Sequence, residues 1–319
     1  MINVSWAINT TIHLLILIIC PIFVIGIINR VKSIWSGRKG PNLNQSFFDL
    51  YRLLKKRSVY SENSSWIFQL APAIILATAL LASLLSPIVP GVAPISFKYD
   101  FVYFVYLLGL GRIFIILAAL DTGSSFEGMG AGREATYSAY IEPALFFSIG
   151  TLGIISGNSS FESLVVVQAS GLLIWIIKFL LFFSLFILLQ IEAARVPVDD
   201  PNTHLELTMI HEVMILDTSG PELAMIQYGS ALKLVSLAGL IAALLNPFLL
   251  QNGKIGGTLF YFSWITSLLI IVAISILIGL IESWVPRFKM RFIPAYALMA
   301  VLAGLIAMLL ASLGKAGMI

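Results

Sequence analysis

The chain has 319 residues, of which 59% are hydrophobic and 11% are charged, and its formal net charge at pH 7 is +3. The apolar residues fall in blocks of about 17–25 residues, the length that a helix needs to cross a bilayer. Blocks this long exclude a soluble domain, and the lack of a period of two excludes a transmembrane β-barrel. The single cysteine, Cys20, excludes an iron–sulfur cluster, a cysteine zinc site and an internal disulfide within this chain.

These blocks predict an all-α integral membrane protein with about eight transmembrane helices, because a helix satisfies its own backbone hydrogen bonds inside the bilayer. The chain is predicted to form one polytopic domain over residues 1–319. The predicted spans are 9–29, 67–87, 101–120, 138–156, 170–193, 222–246, 258–282 and 293–313. Long polar connections are predicted at about 30–66, 121–137, 194–221 and 283–292.

Lysine and arginine residues distinguish the two sides of the membrane. Thirteen lie in the connections after the odd-numbered spans, and three lie on the opposite side, namely Lys98, Lys254 and Lys315. Because cytoplasmic loops carry the excess of these residues, we predict that the four long connections are cytoplasmic and that both termini are outside. The protein is expected to be a multi-pass protein of the cell membrane.

The first connection carries a Gly-Arg-Lys-Gly-Pro turn at 37–41, and apolar and basic residues then alternate at helical spacing from Phe47 to Lys56. One interpretation is a helix in the headgroup layer, with lysine side chains facing anionic lipid. The other is a docking surface for an attached subunit, and the two are compatible.

The connection at 121–137 is rich in glycine, which predicts that it is not helical. Its GMGAGRE sequence has part of the spacing of a nucleotide-binding loop, but no strand precedes it, and nucleotide binding is not predicted. No nucleic-acid partner is predicted either.

Several ionisable residues lie within or at the edge of the predicted spans: Arg112, Glu142, Lys178, Glu192, Glu222, Lys233 and Glu282. A charge at mid-depth costs about 2.5–3.5 kcal/mol on insertion scales, so each needs a partner or water. Glu222 and Glu282 are expected to reach the interface. Lys178 and Glu192 lie within about 40° of one helix face and can open onto one polar track, which a proton relay requires.

The stretch from Leu189 to Gly220 concentrates charge, with six of the chain's 16 carboxylates and two of its 3 histidines. Glu192 and Arg195, at i and i+3, are expected to form an ion pair on one helix face. Pro197 and Pro201 are expected to end the helix and to keep 198–200 extended.

The second half of this stretch is predicted to be helical from Thr203 to about Leu216, because its apolar residues have helical spacing and Thr203 and Glu206 match a capping box. His204 and His211 share one face of that helix. Their spacing is uncommon for metal ligands and no cysteine joins them, so a relay or interface role is favoured over a metal site.

These residues resemble a known family. EAARVPVDDP followed by THLELTMIHEVMILDTSG resembles the large membrane-anchor subunit of energy-converting, membrane-bound nickel–iron hydrogenases and formate hydrogenlyases, which is homologous to the eight-helix subunit beside the quinone site of respiratory complex I. Other agreeing places are GRKGP at 37–41 with Gln45 and Asp49, Ala71-Pro72, and Tyr140-x-Glu142-Pro143.

The resemblance implies a subunit of a ferredoxin-dependent, hydrogen-evolving oxidoreductase that joins its electron-transfer arm to H+- or Na+-translocating membrane subunits. It implies no cofactor in this chain, with iron–sulfur clusters and a nickel–iron centre in hydrogenase-like large and small partner subunits, and antiporter-like subunits as membrane partners. It carries a junction role to Glu192, Arg195, Asp199, Glu206, His211 and Glu212, and a relay role to Glu142, to which the span analysis adds Lys178. The predicted subunit interface comprises Arg38, Lys39, Asp49, Arg133, Asp200 and His204. No catalytic residue is predicted.

Three alternatives stay open. The segment after the DxP motif departs from the complex I pattern, which favours the hydrogenase branch over quinone chemistry, and a sulfur-reducing relative would share the same subunit. A secondary transporter working alone would show an internal repeat, which the sequence lacks. A purely structural anchor would use the charges within the spans as inert ion pairs.

Overall fold

The structure, a computed structural model, describes residues 4–61, 64–167, 171–199, 209–248 and 258–315. Within these ranges its helices are α1 (Val4–Trp35), α2 (Gln45–Leu54), α3 (Trp66–Leu85), α4 (Asp100–Asp121), α5 (Ser125–Ser156), α6 (Phe161–Leu164), α7 (Leu172–Glu192), α8 (Gly220–Leu245), α9 (Thr258–Trp284) and α10 (Ile293–Lys315). Eight of them are long and apolar enough to cross a membrane, and each overlaps a predicted span. The predicted all-α membrane fold is confirmed.

Helix α8 lies at the centre of the bundle. Of its most apolar window, 78% is buried, against 33–44% in the other seven spans. It packs against α1, α3, α7 and α9, while α10 packs against α5 and α7. Small buried residues on α8, such as Ala231, Ser236 and Ala242, let neighbouring backbones approach closely, which is how helices associate in lipid.

The polar connections meet at one end of the bundle, which we call the loop side. There the first loop is tied to the start of α8, because Val59 N donates to Ser219 Oγ at 2.9 Å. The connection between α9 and α10 is tied to the turn after α7, because Phe288 N donates to Pro197 O at 2.9 Å. Helix α1 begins at the opposite end, which we call the N-terminal side.

Helix α5 begins at Ser125, so the prediction that 121–137 is not helical was wrong. Glu127 in its first turn is buried, and it accepts hydrogen bonds from Thr122 Oγ1 and, at 3.0 Å, from Asp217 N. At Gly130 a Cβ atom would lie 2.4 Å from Val213 Cγ1. Each glycine costs about 1 kcal/mol in helix propensity, but only glycine leaves room for this contact, so tertiary packing prevails.

The segment at 209–218 is the partner of α5 in this contact. The described part of the helix predicted from Thr203 to Leu216 is a single 3-10 turn, Glu212–Ile215, and the predicted capping box lies outside the described residues. Met209, Ile210, Val213 and Met214 are all buried. The segment is enclosed on several sides, so its apolar side chains are buried in different directions. They do not have to lie on one face of a helix to be buried.

The chain turns tightly after α7, so the prediction of an extended segment at 198–200 was wrong for Val198 and Asp199, while Asp200 lies outside the described residues. Val198 N donates to Arg195 O at 3.0 Å, and Ala194 has a φ of 51°. Gln190 Nε2 donates to Val196 O at 3.0 Å and Gln190 Oε1 accepts a hydrogen bond from Tyr296 Oη at 2.5 Å. Contacts from α7 and α10 therefore fix the turn that carries Arg195 and Asp199.

The helix predicted in the first connection is confirmed as α2. All of its side chains are at least partly exposed, and Phe47, Phe48, Tyr51 and Leu54 present large apolar surfaces. Lys55 Nζ lies 4.2 Å from the centre of the Tyr51 ring. Lipid headgroups and an attached subunit both stay predicted partners of this face.

Gly130→Ala is expected to destabilise the protein by about 1–3 kcal/mol, because the added methyl overlaps Val213, Met214 and the Ile210 carbonyl. Gly132→Ala is the matched control, since nothing lies within 4 Å of its Cβ position, and it should be neutral or stabilising by up to about 1 kcal/mol. The melting temperature of the purified protein measures both variants. Equal melting temperatures would contradict the packing described for α5.

Candidate functional site: a buried ion-pair chain

Arg112 of α4 is buried and pairs with three carboxylates from two other helices. Its Nη2 contacts Glu192 Oε1 of α7. Its Nε lies 3.3 Å from Glu134 Oε1, and its Nη1 lies 3.6 Å from Glu142 Oε1, both of α5. One guanidinium therefore contacts three carboxylates and links α4, α5 and α7 to one another.

From Glu134 the ion pairs continue to the loop side. Glu134 Oε2 lies 3.3 Å from His211 Nε2, and His211 Nδ1 lies 3.7 Å from Asp199 Oδ2. Asp199 Oδ1 lies 2.9 Å from Arg287 Nη2, and its Oδ2 accepts hydrogen bonds from the backbone N of Ile210 and His211 at 3.1 and 2.9 Å. We call the following residues the ion-pair chain: Glu142, Glu192, Arg112, Glu134, His211, Asp199 and Arg287.

A second ionic group lies beside this chain. Glu282 is buried and pairs with Arg195 at 3.5 Å and with Lys32 at 3.6 Å. The predicted Glu192–Arg195 pair was wrong, because the turn at Ala193 and Ala194 takes Arg195 off the face of α7. The expectation that Glu282 reaches the interface was also wrong, whereas the partly exposed Glu222 lies at the start of α8 and accepts a hydrogen bond from Ser58 Oγ at 2.7 Å.

The protonation of the loop-side end follows from its neighbours. Burial favours the neutral imidazole of His211, but the charges of Glu134 and Asp199 outweigh it and raise the pKa of His211 above its ordinary value of 6.5. Burial likewise opposes ionisation of Asp199, but the hydrogen bond and charge of His211 and the charge of Arg287 lower the pKa of Asp199 below its ordinary 3.8. The two residues therefore favour each other's charged forms, an imidazolium at His211 and a carboxylate at Asp199.

A cavity of about 380 Å³ adjoins the chain. Its polar lining includes Arg112, Glu134, Glu192, His211 and Lys233, and its apolar lining comes largely from α1 and α8. Water in such a cavity would contact the charged groups directly. The arrangement can therefore hold charge, exchange protons and respond to movement of the 209–218 segment.

The structure brings together most of the predicted relay residues. Glu142, Glu192, Asp199 and His211 belong to the ion-pair chain, Arg195 lies in the second group, and Glu212 lines the cavity. Lys178 is not brought to this site: it is half-buried on α7, with its Nζ 5.6 Å from the centre of the Trp175 ring. Glu206 lies outside the described residues.

The predicted interface residues are more scattered. Arg38 and Lys39 are exposed in the first loop, and Asp49 lines the cavity and accepts a hydrogen bond from Gln45 Nε2 at 2.9 Å. Arg133 Nη1 donates to Met209 O at 2.6 Å, which ties α5 to the 209–218 segment. Asp200 and His204 lie outside the described residues.

Glu134 and Lys233 were not among the predicted site residues, although both line the cavity. Glu134 lies in the stretch that was predicted to be an irregular connection, so its position on the same helix as Glu142 was missed. Lys233 was visible as a charge within a span. Among the described residues, no group of three or more His, Cys, Asp or Glu side chains is placed to hold a metal ion.

Comparison with known proteins agrees with this architecture. Hydrogenase-4 component C of Escherichia coli is 31% identical over 234 residues, which cover 73% of each chain. Formate hydrogenlyase subunit 4 of Escherichia coli is 24% identical over 275 residues, covering 84% of this chain and 87% of the relative. A chain in the structure of the membrane-bound sulfane sulfur reductase, an archaeal respiratory membrane complex, has the same fold, with a TM-score of 0.77 and 18% identity over 97% of this chain and 100% of that chain.

The fold and the site define a multi-pass protein of the cell membrane, and its relatives are membrane subunits of hydrogenase, formate hydrogenlyase and related oxidoreductase complexes. The family model described as NADH dehydrogenase matches residues 8–313. The chain belongs to this NADH dehydrogenase family. The resemblance to membrane-anchor subunits of hydrogenases and formate hydrogenlyases is confirmed.

Arg112→Gln is expected to destabilise the protein by about 3–5 kcal/mol, because it leaves buried carboxylates without a compensating charge. The double variant Arg112→Gln/Glu192→Gln should recover part of that loss, since it removes one uncompensated charge. Melting temperature and the yield of assembled protein report both effects. An Arg112→Gln variant as stable as the parent would show that these carboxylates are not held by Arg112.

The His211–Glu134 pair is expected to stabilise the protein in a pH-dependent way. Because the pKa of His211 is raised in the fold, its contribution is complete below about pH 6.5 and is lost as the pH rises through the raised value. The difference in melting temperature between the parent and His211→Gln should therefore be largest at acidic pH and shrink on the alkaline side. A difference that stays constant from pH 6 to pH 9 would exclude an imidazolium at this position.

Proposed function

We propose that this chain is the membrane subunit that couples ferredoxin-linked hydrogen evolution to H+ or Na+ translocation in a multi-subunit complex. In this proposal the loop side faces the cytoplasm and contacts the electron-transfer subunits. The observation that carries the proposal is the ion-pair chain, which runs from Arg287 on the loop side to Glu142 within the membrane-spanning part of α5.

The spacing of the chain is short enough for electrostatic coupling. Successive residues of the ion-pair chain lie close together. The longest contact, between His211 Nδ1 and Asp199 Oδ2, is 3.7 Å, and all the others are shorter. Two unit charges 4 Å apart interact with about 4 kcal/mol at an effective dielectric constant near 20, which changes a protonation equilibrium about a thousandfold. Each step can therefore pass a change in charge to the next residue, and several steps in series carry it into the membrane.

The loop-side end of the chain is suited to receive a signal. Asp199 lies in the tight turn after α7, and His211 belongs to the 209–218 segment that rests on α5. A charge change or a displacement in an attached subunit would alter the contact of His211 with Glu134. The interaction of Glu134 with Arg112 would then change, and with it the strength with which Arg112 interacts with Glu142 and Glu192. The exposed Arg38 and Lys39, and α2, are proposed to help hold that subunit.

The other end of the chain supports a partner within the membrane. Arg112 lies near the middle of α4, so Glu142 lies at a similar depth, yet 47% of its side chain is exposed. A carboxylate facing lipid at that depth would cost about 2.5–3.5 kcal/mol. We therefore propose that an ion-translocating, antiporter-like subunit covers Glu142 and accepts the signal there.

In this proposal the redox chemistry belongs to partner subunits. Hydrogenase-like large and small subunits would carry the iron–sulfur clusters and the nickel–iron centre, and ferredoxin would bind to them. A sulfur-reducing complex is the second candidate, and the observation that favours it is the fold shared with a chain of the sulfane sulfur reductase complex. Identifying the proteins that copurify with this chain, and assaying the complex with protons and with polysulfide as acceptor, separates the two.

Glu142→Gln and Glu192→Gln are each expected to lower the number of ions moved per electron at least tenfold, because an amide cannot change its charge. The complex should still assemble, since Gln keeps the size and an acceptor oxygen. Ion uptake into vesicles and electron transfer are measured together on the same preparation. Glu162→Gln is the matched control, because Glu162 lies in the connection between α5 and α7 on the N-terminal side.

The outcome also separates the rival functions. Unchanged ion-to-electron ratios in both variants would leave a structural anchor, whose ion pairs are inert. Ion transport by the purified chain alone would indicate a secondary transporter. Loss of ion movement with electron transfer still running supports the coupling role.

A further inference from the structure

Lys233 is a charged residue within the membrane that does not belong to the ion-pair chain. It lies near the middle of α8, which runs from Gly220 to Leu245 and is the most buried span of the bundle. A lysine at this depth is costly unless it faces the interior of the bundle and has water or opposite charges beside it. Its surroundings therefore indicate what it does there.

The amine group of Lys233 lies beside α4 and faces the cavity. A Cβ atom on Gly111, the residue before Arg112, would lie 3.9 Å from Lys233 Nζ. Lys233 lines the cavity together with Glu134 and Glu192. Within the described parts of the chain, its Nζ forms no hydrogen bond and no ion pair. An ammonium group has three hydrogens to donate, and water in the cavity can accept them.

The charge of Lys233 completes the charge balance of the ion-pair chain. The chain has four carboxylates and three cations: Glu134, Glu142, Glu192 and Asp199 against Arg112, Arg287 and the imidazolium form of His211. With Lys233 as an ammonium, the whole set is neutral. Inside a membrane, charges are tolerated when opposite charges compensate them.

Lys233 differs from the residues of the ion-pair chain in the way its proton is held. Each residue of the chain contacts an opposite charge directly, so loss of that charge breaks an ion pair. Loss of the proton from Lys233 breaks no contact with a described residue. Arginine stays protonated in proteins, whereas a lysine in a protein interior can lose its proton near neutral pH.

The cavity connects Lys233 with the loop side. It is partly open, and its lining extends to Ser46 and Asp49 of α2 and to Glu212 of the 209–218 segment. Both elements belong to the polar connections on the loop side. Water in this cavity can therefore carry a proton between the loop side and Lys233 Nζ.

We propose that Lys233 exchanges a proton with the water of this cavity. On release, one Nζ–H bond breaks, the proton joins a cavity water, and the electron pair stays on the neutral amine. The water passes the proton to the solvent on the loop side, and uptake reverses these steps. Release leaves Lys233 and the ion-pair chain with one net negative charge. As a step of ion translocation the exchange rests on the proposed function, whereas the protonation of Lys233 can be measured without it.

Other titratable groups face the same cavity and contribute to the electric field at Lys233. Its acidic groups are Asp49 of α2, Glu134 of α5, Glu192 of α7 and Glu212 of the 209–218 segment. The others are Arg112 of α4, Arg195 of the turn after α7, His211 of the 209–218 segment and Tyr228 of α8. Helix α3 has no charged residue, and the lining does not include Arg30 and Lys32 of α1, Lys178 of α7, Glu222 of α8 or Glu282 of α9.

The protonation of His211 depends on the charge of Lys233. Burial and the charge of Lys233 both lower the pKa of His211, while Glu134 and Asp199 raise it and prevail. Since such coupling is reciprocal, loss of the proton from Lys233 strengthens the binding of a proton at His211. The exchange at Lys233 is therefore coupled to the loop-side end of the ion-pair chain.

The protonation of Lys233 is tested by solid-state carbon-13 NMR of the whole purified complex, labelled at the Cε atoms of its lysines. We expect one lysine signal of the parent to change from ammonium to amine between about pH 6 and pH 9. It should be lost in Lys233→Arg and kept in Lys178→Arg, the matched control, since Lys178 lies in another span and does not line the cavity. A signal that persists in Lys233→Arg overturns the proposal.

The NMR measurement does not depend on how well one variant folds. Lys233→Met, which keeps an unbranched side chain, replaces Lys233→Arg if the larger guanidinium prevents assembly. A parent spectrum without a titrating lysine overturns the proposal whatever the variants do.

The coupling to His211 gives a second readout. The pH at which His211 ceases to stabilise the protein is measured by comparing melting temperatures with and without His211→Gln. In Lys233→Met this pH should rise by about half a unit, because a positive charge near His211 has been removed. Lys178→Met should leave it unchanged.

An unchanged or lower pH in Lys233→Met would contradict the coupling between the two residues. Neither readout measures ion translocation. Their failure is therefore distinguishable from unchanged ion-to-electron ratios in Glu142→Gln and Glu192→Gln, which would overturn the proposed function.

Discussion

The structure depends on one buried guanidinium. Arg112 lies among three carboxylates on α5 and α7, in a part of the protein where an isolated charge would be costly. Removing Arg112 alone would leave the buried carboxylates of Glu134 and Glu192 without this partner, which is the costly way to break a buried ion pair. These contacts fix the position of α4 against α5 and α7. A change of charge at one carboxylate would also change the electrostatic energy of the other two.

The segment after α7 extends this constraint to the loop side. The turn at 193–199 and the 209–218 segment are held by hydrogen bonds and close packing from α5, α7, α9 and α10, and His211 joins them to Glu134. Gly130 contributes to this packing, because the absence of a side chain there lets the 209–218 segment lie directly on α5. A subunit that binds the loop side therefore has a short physical route to Arg112, and Glu142 offers a second surface within the membrane.

The spans were predictable because each needs only a long apolar block, and the helix of the first connection was predictable from its spacing. The glycine-rich start of α5 was not, because propensity argues against a helix there and the compensating contact comes from residues about 80 positions away in the sequence. For the same reason Glu134 was missed. The prediction of a Glu192–Arg195 pair was wrong because it required α7 to continue through Arg195. In the structure Glu192 pairs with Arg112 and Arg195 pairs with Glu282, and both partners are distant in sequence.

The proposed coupling requires that Asp199 and Glu142 act in series through Arg112. A double-mutant cycle in reconstituted vesicles tests it, using ions moved per electron as the readout for Asp199→Asn, Glu142→Gln and both together. If the two residues act in series, the double variant should lose no more than Glu142→Gln alone, while Asp199→Asn combined with Glu162→Gln should show independent effects. Losses that multiply for Asp199 and Glu142 would contradict it.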